Sequence, residues 1–283
     1  MYFCCMFEKR VTIPELFNRI DVPVMTEILE VIQETENVKT FTLDISLNAK
    51  PGQFVNIWLP GIDEKPFSVA EDNGKTLKIT FFAIGEFTKK LFQYKKGDKI
   101  GVRGAYGTMY SWKPETTLAL VAGGYGAAPM YFLAQKALET NCVIHFIVGA
   151  KSKQHLLYLN QISALPKSFL HIATDDGSMG HKSYNTELLE KILQKHHIHQ
   201  VFACGPEMML YSVYQICQKH KIEGQLSMER YMKCGFGVCG QCVMDNRGDR
   251  VCVEGAVMTT KQLSLIQEFG KYHRDKEGIK IKF

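Results

Sequence analysis

The sequence predicts an antiparallel β-barrel, then an α/β domain built on a parallel sheet, then a small cysteine-bearing C-terminal module. Three observations predict this. Short β-rich runs broken by turn residues fill the stretch from Glu27 to about Lys113, strand and helix patterns alternate after Pro114, and four cysteines crowd into nineteen residues between Cys234 and Cys252. The expected division is an appended segment at 1–24, the barrel at 25–113, the α/β domain at 114–225, the cysteine module at 226–262 and a tail at 263–283.

The barrel expectation rests on Thr40 to Ile45, Phe54 to Trp58 and Leu77 to Phe82, separated by Pro51-Gly52 and Asn73-Gly74. Short strands and turns at this spacing favour a small antiparallel barrel. Lys65-Pro66-Phe67-Ser68 closes one run, and Gly85-Glu86-Phe87-Thr88 opens a predicted helix. A cation, a hydroxyl and a helix start together make an anion cradle, and Phe67 could cover a planar ring. The plainer alternative is an edge-strand proline beside ordinary core phenylalanines.

In the α/β stretch, Thr117 to Val121 runs into Gly123-Gly124-Tyr125-Gly126 and then a helix with Pro129 in its first turn. Glycines let a backbone turn sharply and approach a pyrophosphate, although the GxGxxG fingerprint is absent. Val143 to Val148, Phe169 to Thr174 and Gln200 to Ala203 are the other buried-strand candidates. Cys204-Gly205 follows the last of them, at the strand end where ligands of open α/β sheets bind. Alone, Cys204 reads as a small buried hydrophobe.

Cys234, Cys239, Cys242 and Cys252 are spaced C-x4-C-x2-C-x9-C. The first three spacings equal those of plant-type [2Fe–2S] proteins, and Gly235, Gly237 and Gly240 suit a loop whose N–H groups face sulfurs. Structural zinc and free thiols are the alternatives, but a second Cys-x-x-Cys knuckle is missing. Cys4, Cys5, Cys142 and Cys217 have no ligand spacing, and His196, His197 and His199 read as a solvated helix end.

The chain has 283 residues, 46% apolar and 22% charged, a globular composition. No apolar run approaches the ~20 residues that span a bilayer, and Met1 to Phe7 is too short for a signal-peptide core. A cytoplasmic location without membrane attachment is expected. The net charge of +5, from 34 basic and 29 acidic residues, is dispersed, which argues against nucleic-acid binding. The densest basic group, Lys89, Lys90, Lys95, Lys96, Lys99 and Arg103, reads as a solvated face, with attraction of a phosphate-bearing ligand as the alternative.

Several motifs in order resemble the ferredoxin-NADP reductase superfamily, and most closely the electron-transfer subunits of two-subunit dihydroorotate dehydrogenases. They are Lys65 to Ser68, Gly85 to Thr88, Lys96-Gly97-Asp98, Gly104 to Gly107, Gly123 to Gly126, Thr174 to Ser178, Ala203 to Pro206 and Met228 to Gly255. The resemblance implies FAD held by Lys65, Pro66, Phe67, Ser68, Thr80, Phe81, Phe82, Phe87 and Thr88. It implies NAD(H) on Gly123, Gly124, Gly126, Asp176, Cys204 and Gly205, with Cys204 near the hydride site, and a [2Fe–2S] cluster on the four clustered cysteines. Two departures stand out: Lys65 replaces an arginine and supplies no bidentate fork, and Phe87 replaces a small glycine.

The function so implied is transfer of electrons between NAD+ and a partner FMN-containing dihydroorotate dehydrogenase of pyrimidine biosynthesis, in a heterotetramer of two plus two. Reductase subunits of sulfhydrogenases, anaerobic sulfite reductases and ferredoxin-dependent transhydrogenases use the same parts. A zinc-stabilised binding module is the reading from another class. Lys151 and Lys153 could meet the 2′-phosphate of NADPH, but NADH is the expected nucleotide, and Phe283 is expected in a surface tail.

Overall fold

The computed structural model describes residues 22–283. Cys4, Cys5 and most of the predicted segment 1–24 lie outside the described residues. Six strands, β1 (Val24–Thr35), β2 (Val38–Leu43), β3 (Phe54–Leu59), β4 (Asp63–Asp72), β5 (Leu77–Phe82) and β6 (Lys99–Tyr106), close into a barrel in the order β1-β2-β5-β4-β3-β6. Every pairing around it is antiparallel. The interior is apolar: Phe41, Ile57, Leu77 and Ile79 are fully buried, and Phe41 meets Phe81 edge to face at 4.9 Å. Truncating such a side chain to alanine costs about 2–5 kcal/mol. At Asn73-Gly74, Gly74 takes φ +84° and the Asn73 side chain accepts from the Lys75 and Thr76 amides, which turns β4 into β5. A short helix, α1 (Glu86–Leu91), starts at Gly85 and presses Phe87 and Leu91 into the barrel.

The second sheet has the order β10-β9-β8-β7-β11-β12-β13. Its strands are β7 (Thr117–Gly123), β8 (Val143–Ala150), β9 (Ser168–Thr174), β10 (His181–Lys182), β11 (Gln200–Cys204), β12 (Glu223–Ser227) and β13 (Val257–Thr259). All neighbours are parallel except β13, which runs antiparallel to β12. Leu118 to Ala122 of β7 are inaccessible to solvent, as expected of a strand covered on both faces. The covering helices are α2 (Ala127–Leu138), α3 (Leu159–Ser163), α4 (Asn185–Lys195) and α5 (Glu207–His220). On α4, Leu188, Leu189 and Ile192 form the buried stripe that the helical period dictates.

From β7 the chain winds outward through β8 and β9, then returns to lay β11 on the other flank of β7. The gap between the carboxyl ends of β7 and β11 is therefore the switch point of the sheet, where open α/β folds bind ligands. The cysteine segment is an excursion between β12 and β13, whose Ser227 and Val257 stand opposite each other. A final short helix, α6 (Thr260–Leu263), is capped reciprocally by Thr259 and Gln262. The hairpin β14 (Tyr272–Arg274) and β15 (Lys280–Lys282) ends the chain. Asp245 of the cysteine segment clamps it, accepting from Tyr272 at 2.7 Å, from Arg274 at 3.1 Å and from Lys280 at 3.2 Å. Among the described residues no helix is long and apolar enough to cross a membrane.

Candidate functional site

Barrel and sheet meet at a cleft of about 280 Å³. Pro66, Phe67 and Ser68 of β4, Thr80, Phe81 and Phe82 of β5, and Thr88 of α1 line one side. Tyr125 from the turn after β7, Pro129 from the first turn of the helix that follows, and Ser227 to Arg230 from the end of β12 line the other. Aromatic walls with hydroxyls at the rim fit a planar, phosphate-bearing group such as a flavin nucleotide. The Thr80 hydroxyl is also engaged with Thr40 and with Tyr158, each at 2.8 Å, so it pins barrel to sheet beside the cleft. The Thr88 hydroxyl accepts from the amides of Ile84 and Gly85, both at 3.0 Å, and so organises the start of α1.

Lys65 and Phe87 do not line this cleft. Lys65 lies one residue short of the lining segment of β4, and its ammonium is drawn to neighbours outside the cleft lining. Lys65 pairs with Asp63 at 2.5 Å and lies 5.3 Å from the centre of the Tyr231 ring. Burial opposes its charge, but Asp63 outweighs this and raises its pKa. Phe87 is buried in the barrel, 6.1 Å from Phe67.

The glycines at the switch point divide into two roles. A Cβ on Gly126 would stand 2.2 Å from the carbonyl oxygen of Cys204, and one on Gly123 or Gly205 would strike Met209 at 2.7 Å. These three let the ends of β7 and β11 close on each other. Gly124 differs: its φ is +55° and nothing lies within 4 Å of its missing Cβ, which leaves the backbone open to an incoming ligand. Cys204 is buried, and desolvation first, then the Glu229 charge, push its thiol up to about 12. Asp176 stands exposed in the turn after β9, where its carboxylate accepts from the Ser178 amide at 2.9 Å and hydroxyl at 2.6 Å.

The four clustered cysteines lie on one loop and are not disulfide-bonded, with Cys242 and Cys252 buried and Cys239 exposed. Gly235, Gly237 and Gly240 all have positive φ, and the loop turns its amides onto sulfur. Cys239 N donates to Cys234 Sγ at 3.4 Å, Gln241 N to Cys239 Sγ at 3.5 Å, and Cys252 N to Cys242 Sγ at 3.4 Å. Burial disfavours the Cys234 thiolate, yet amides of Cys239, Phe236 and Val238 bring its pKa down to about 6. A bond from Cys252 brings Cys242 to about 7 against partial burial. Soft thiolates under converging N–H donors fit an iron-sulfur cluster.

Sequence reasoning missed three features of this region. Arg103, grouped with solvated lysines, is 7% exposed and bonds the cluster loop from the barrel. Glu229 faces the cleft and accepts from Tyr125. Arg230, with a side chain 3% exposed, joins Glu207 at 2.5 Å and Glu268 at 2.7 Å. Arg103 does carry a local signal, since it interrupts an apolar strand between Val102 and Gly104; Glu229 and Arg230 open the Met228 to Gly255 motif, which by itself assigns neither a role.

A flavin-type cleft, a nicotinamide-type switch point and a thiolate loop on one chain define an NAD-linked iron-sulfur flavoprotein oxidoreductase. Residues 120–215 match the oxidoreductase NAD-binding domain, and residues 229–264 match the iron-sulfur cluster binding domain of dihydroorotate dehydrogenase B. The chain is 44% identical over 262 residues to a Methanocaldococcus jannaschii protein named "Probable dihydroorotate dehydrogenase B (NAD(+)), electron transfer subunit", covering 93% of this chain and 99% of that one. A Methanothermobacter thermautotrophicus protein of the same name is 38% identical, over 93% and 99%. The chain belongs to the family of dihydroorotate dehydrogenase B electron transfer subunits. A structure of NADH-dependent reduced ferredoxin-NADP oxidoreductase superposes with TM-score 0.77 at 26% identity, covering 84% of this chain and 89% of that one. The Neisseria gonorrhoeae ferredoxin NADP+ reductase with bound FAD and NADP gives 0.61 at 19%, covering 70% and 91%. The two family matches and the name of the relatives accordingly assign this oxidoreductase subunit an iron-sulfur cluster and NAD(H).

Proposed function

We propose that this chain passes electrons between an FMN-containing dihydroorotate dehydrogenase subunit and NAD+, by way of a [2Fe–2S] cluster and FAD, in a two-plus-two heterotetramer. One observation carries this reading: Met228, Glu229 and Arg230 wall the cleft, and the same segment reaches the first clustered cysteine at Cys234. A single stretch of backbone thus spans from the flavin-type cleft to the thiolate loop. When bound, the flavin exchanges a hydride with nicotinamide and single electrons with the cluster.

In this reading Pro66, Phe67, Ser68, Thr80, Phe81, Phe82 and Thr88 seat the flavin directly, while Lys65 and Phe87 shape its strand and turn. Gly124 admits the dinucleotide phosphates, Gly123, Gly126 and Gly205 keep the switch point closed, Cys204 ends β11 beside it, and Asp176 stands in the turn after β9, two strands from β7. Cys234, Cys239, Cys242 and Cys252 hold the cluster. The functional units are 25–113 for flavin, 114–225 for nicotinamide and 226–262 for the cluster.

Likeness to the ferredoxin-NADP oxidoreductase favours a second reading, a ferredoxin-linked transhydrogenase subunit, but at 26% identity against 44% for the dehydrogenase relative. Isolation of the native complex with cofactor analysis separates them. An FMN protein copurifying with equimolar iron and labile sulfide is expected, whereas a hydrogenase or siroheme partner, or a chain without flavin, refutes the proposal.

A further inference from the structure

One side chain ties the cluster loop to the flavin barrel. Arg103 stands in β6, 7% exposed, and its Nε and one terminal nitrogen donate to the two carboxylate oxygens of Glu64 in β4. The other terminal nitrogen donates to the Tyr106 hydroxyl at 3.0 Å and to the carbonyl of Cys234. A longer bond of 3.3 Å reaches the carbonyl of Lys233, which also accepts from Asn56 of β3 at 3.0 Å. The guanidinium lies 5.5 Å from the centre of the Phe236 ring, and a Cβ on Gly235 would meet Tyr106 at 3.0 Å. Barrel donors therefore grip two consecutive carbonyls where the ligand loop begins.

A buried guanidinium is tolerated only when its edges are paired, and its planar fork does what an ammonium cannot. Glu64 occupies one edge, so the cationic edge left over faces the loop. Reducing a cluster adds negative charge, which a fixed positive edge nearby stabilises in a poorly screened interior.

We propose that Arg103, locked by Glu64, is the positioning residue of the cluster: it fixes the Cys234 end of the loop on the flavin barrel and makes the cluster easier to reduce. This rests on reading the loop as a cluster site that exchanges electrons with the flavin.

The test uses the intact complex, as wild type and as Arg103→Met, Arg103→Lys and Glu64→Gln. The cluster midpoint potential is followed by electron paramagnetic resonance, and flavin-to-cluster transfer after mixing with NADH. The expected result for Arg103→Met is an equilibrium moved about tenfold away from the reduced cluster, ~59 mV, with an unchanged KM for NADH. Arg103→Lys recovers only part of the shift, and Glu64→Gln alters the resonance line shape. If Arg103→Met does not retain its cluster, the other two variants decide, and wild-type potentials and line shapes in both overturn the assignment. A wild-type protein without cluster absorbance overturns the underlying reading as well, whereas a loaded wild type with indifferent variants overturns the role of Arg103 alone.

Discussion

The Tyr125 hydroxyl donates to both carboxylate oxygens of Glu229, at 3.0 and 3.2 Å, across the cleft between the glycine turn and the end of β12. Glu229 is open to solvent through the cleft yet closely surrounded by protein, and this desolvation raises its pKa. The Tyr125 bond opposes the rise and the Glu207 charge adds to it. Its charge therefore appears at a higher pH than for an ordinary glutamate, beside the place where an anionic dinucleotide would enter.

Replacing Glu229 by glutamine should flatten the pH dependence of NADH binding. In the wild type, KM for NADH rises as pH increases through the elevated Glu229 pKa, because an ionised carboxylate repels the dinucleotide. A like charge in this partly solvated setting is worth about 1 kcal/mol, roughly a fivefold change in KM. NADH oxidation with an artificial acceptor measures it, and identical pH profiles for the two proteins would refute the idea.

Alanine at Gly124 and at Gly126 should have opposite signatures. At Gly124 the cost is the left-handed backbone alone, about 1 kcal/mol, with a KM for NADH raised on the order of tenfold because the methyl enters the phosphate approach. At Gly126 the methyl collides with the Cys204 carbonyl, and stability falls by about 3 kcal/mol or more. Thermal melts paired with steady-state kinetics distinguish them.

Serine at Cys234, Cys239, Cys242 or Cys252 should lower bound iron by roughly tenfold or more, since a hard hydroxyl replaces a soft thiolate. Serine at Cys142 or Cys217, both buried away from the loop, should leave iron content and visible absorbance intact. Iron and labile-sulfide assays on the purified variants read this directly.

Far from the cleft, His145 of β8 bonds His171 of β9 at 3.1 Å and packs 4.5 Å from the His196 ring. Burial first, then the charges of His196 and His171, lower its pKa to about 4. The folded protein thus binds this proton less readily than the unfolded chain. The stability it contributes is complete above the unfolded value of ~6.5 and is lost as pH falls towards about 4, by up to about 2 kcal/mol after screening. Phenylalanine at His145 should reduce the loss of melting temperature between about pH 7 and pH 5, and an unaltered slope would contradict this.

Much of this architecture is legible in the sequence because it is written in short-range patterns. The C-x4-C-x2-C spacing, the strand-to-glycine turn at Gly123 and the Asn73-Gly74 hairpin each need only neighbouring residues. Lys65 shows the limit: its motif is visible, but Asp63 decides where its ammonium goes. Arg103 shows a further limit, since its partner carbonyl at Cys234 is 131 positions away and no spacing encodes that encounter. Glu229 and Tyr125, 104 positions apart, meet only because β12 and β7 flank β11 in one sheet.

The pairing of Ser227 with Val257 has a bearing on the whole cysteine loop. Two neighbouring strands, about 5 Å apart, fasten both ends of the cysteine loop. Sheet formation therefore bears the entropy of bringing the two ends of that loop together. A change that loosens β12 from β13 would accordingly disturb the thiolate loop from a distance, with none of its four cysteines altered.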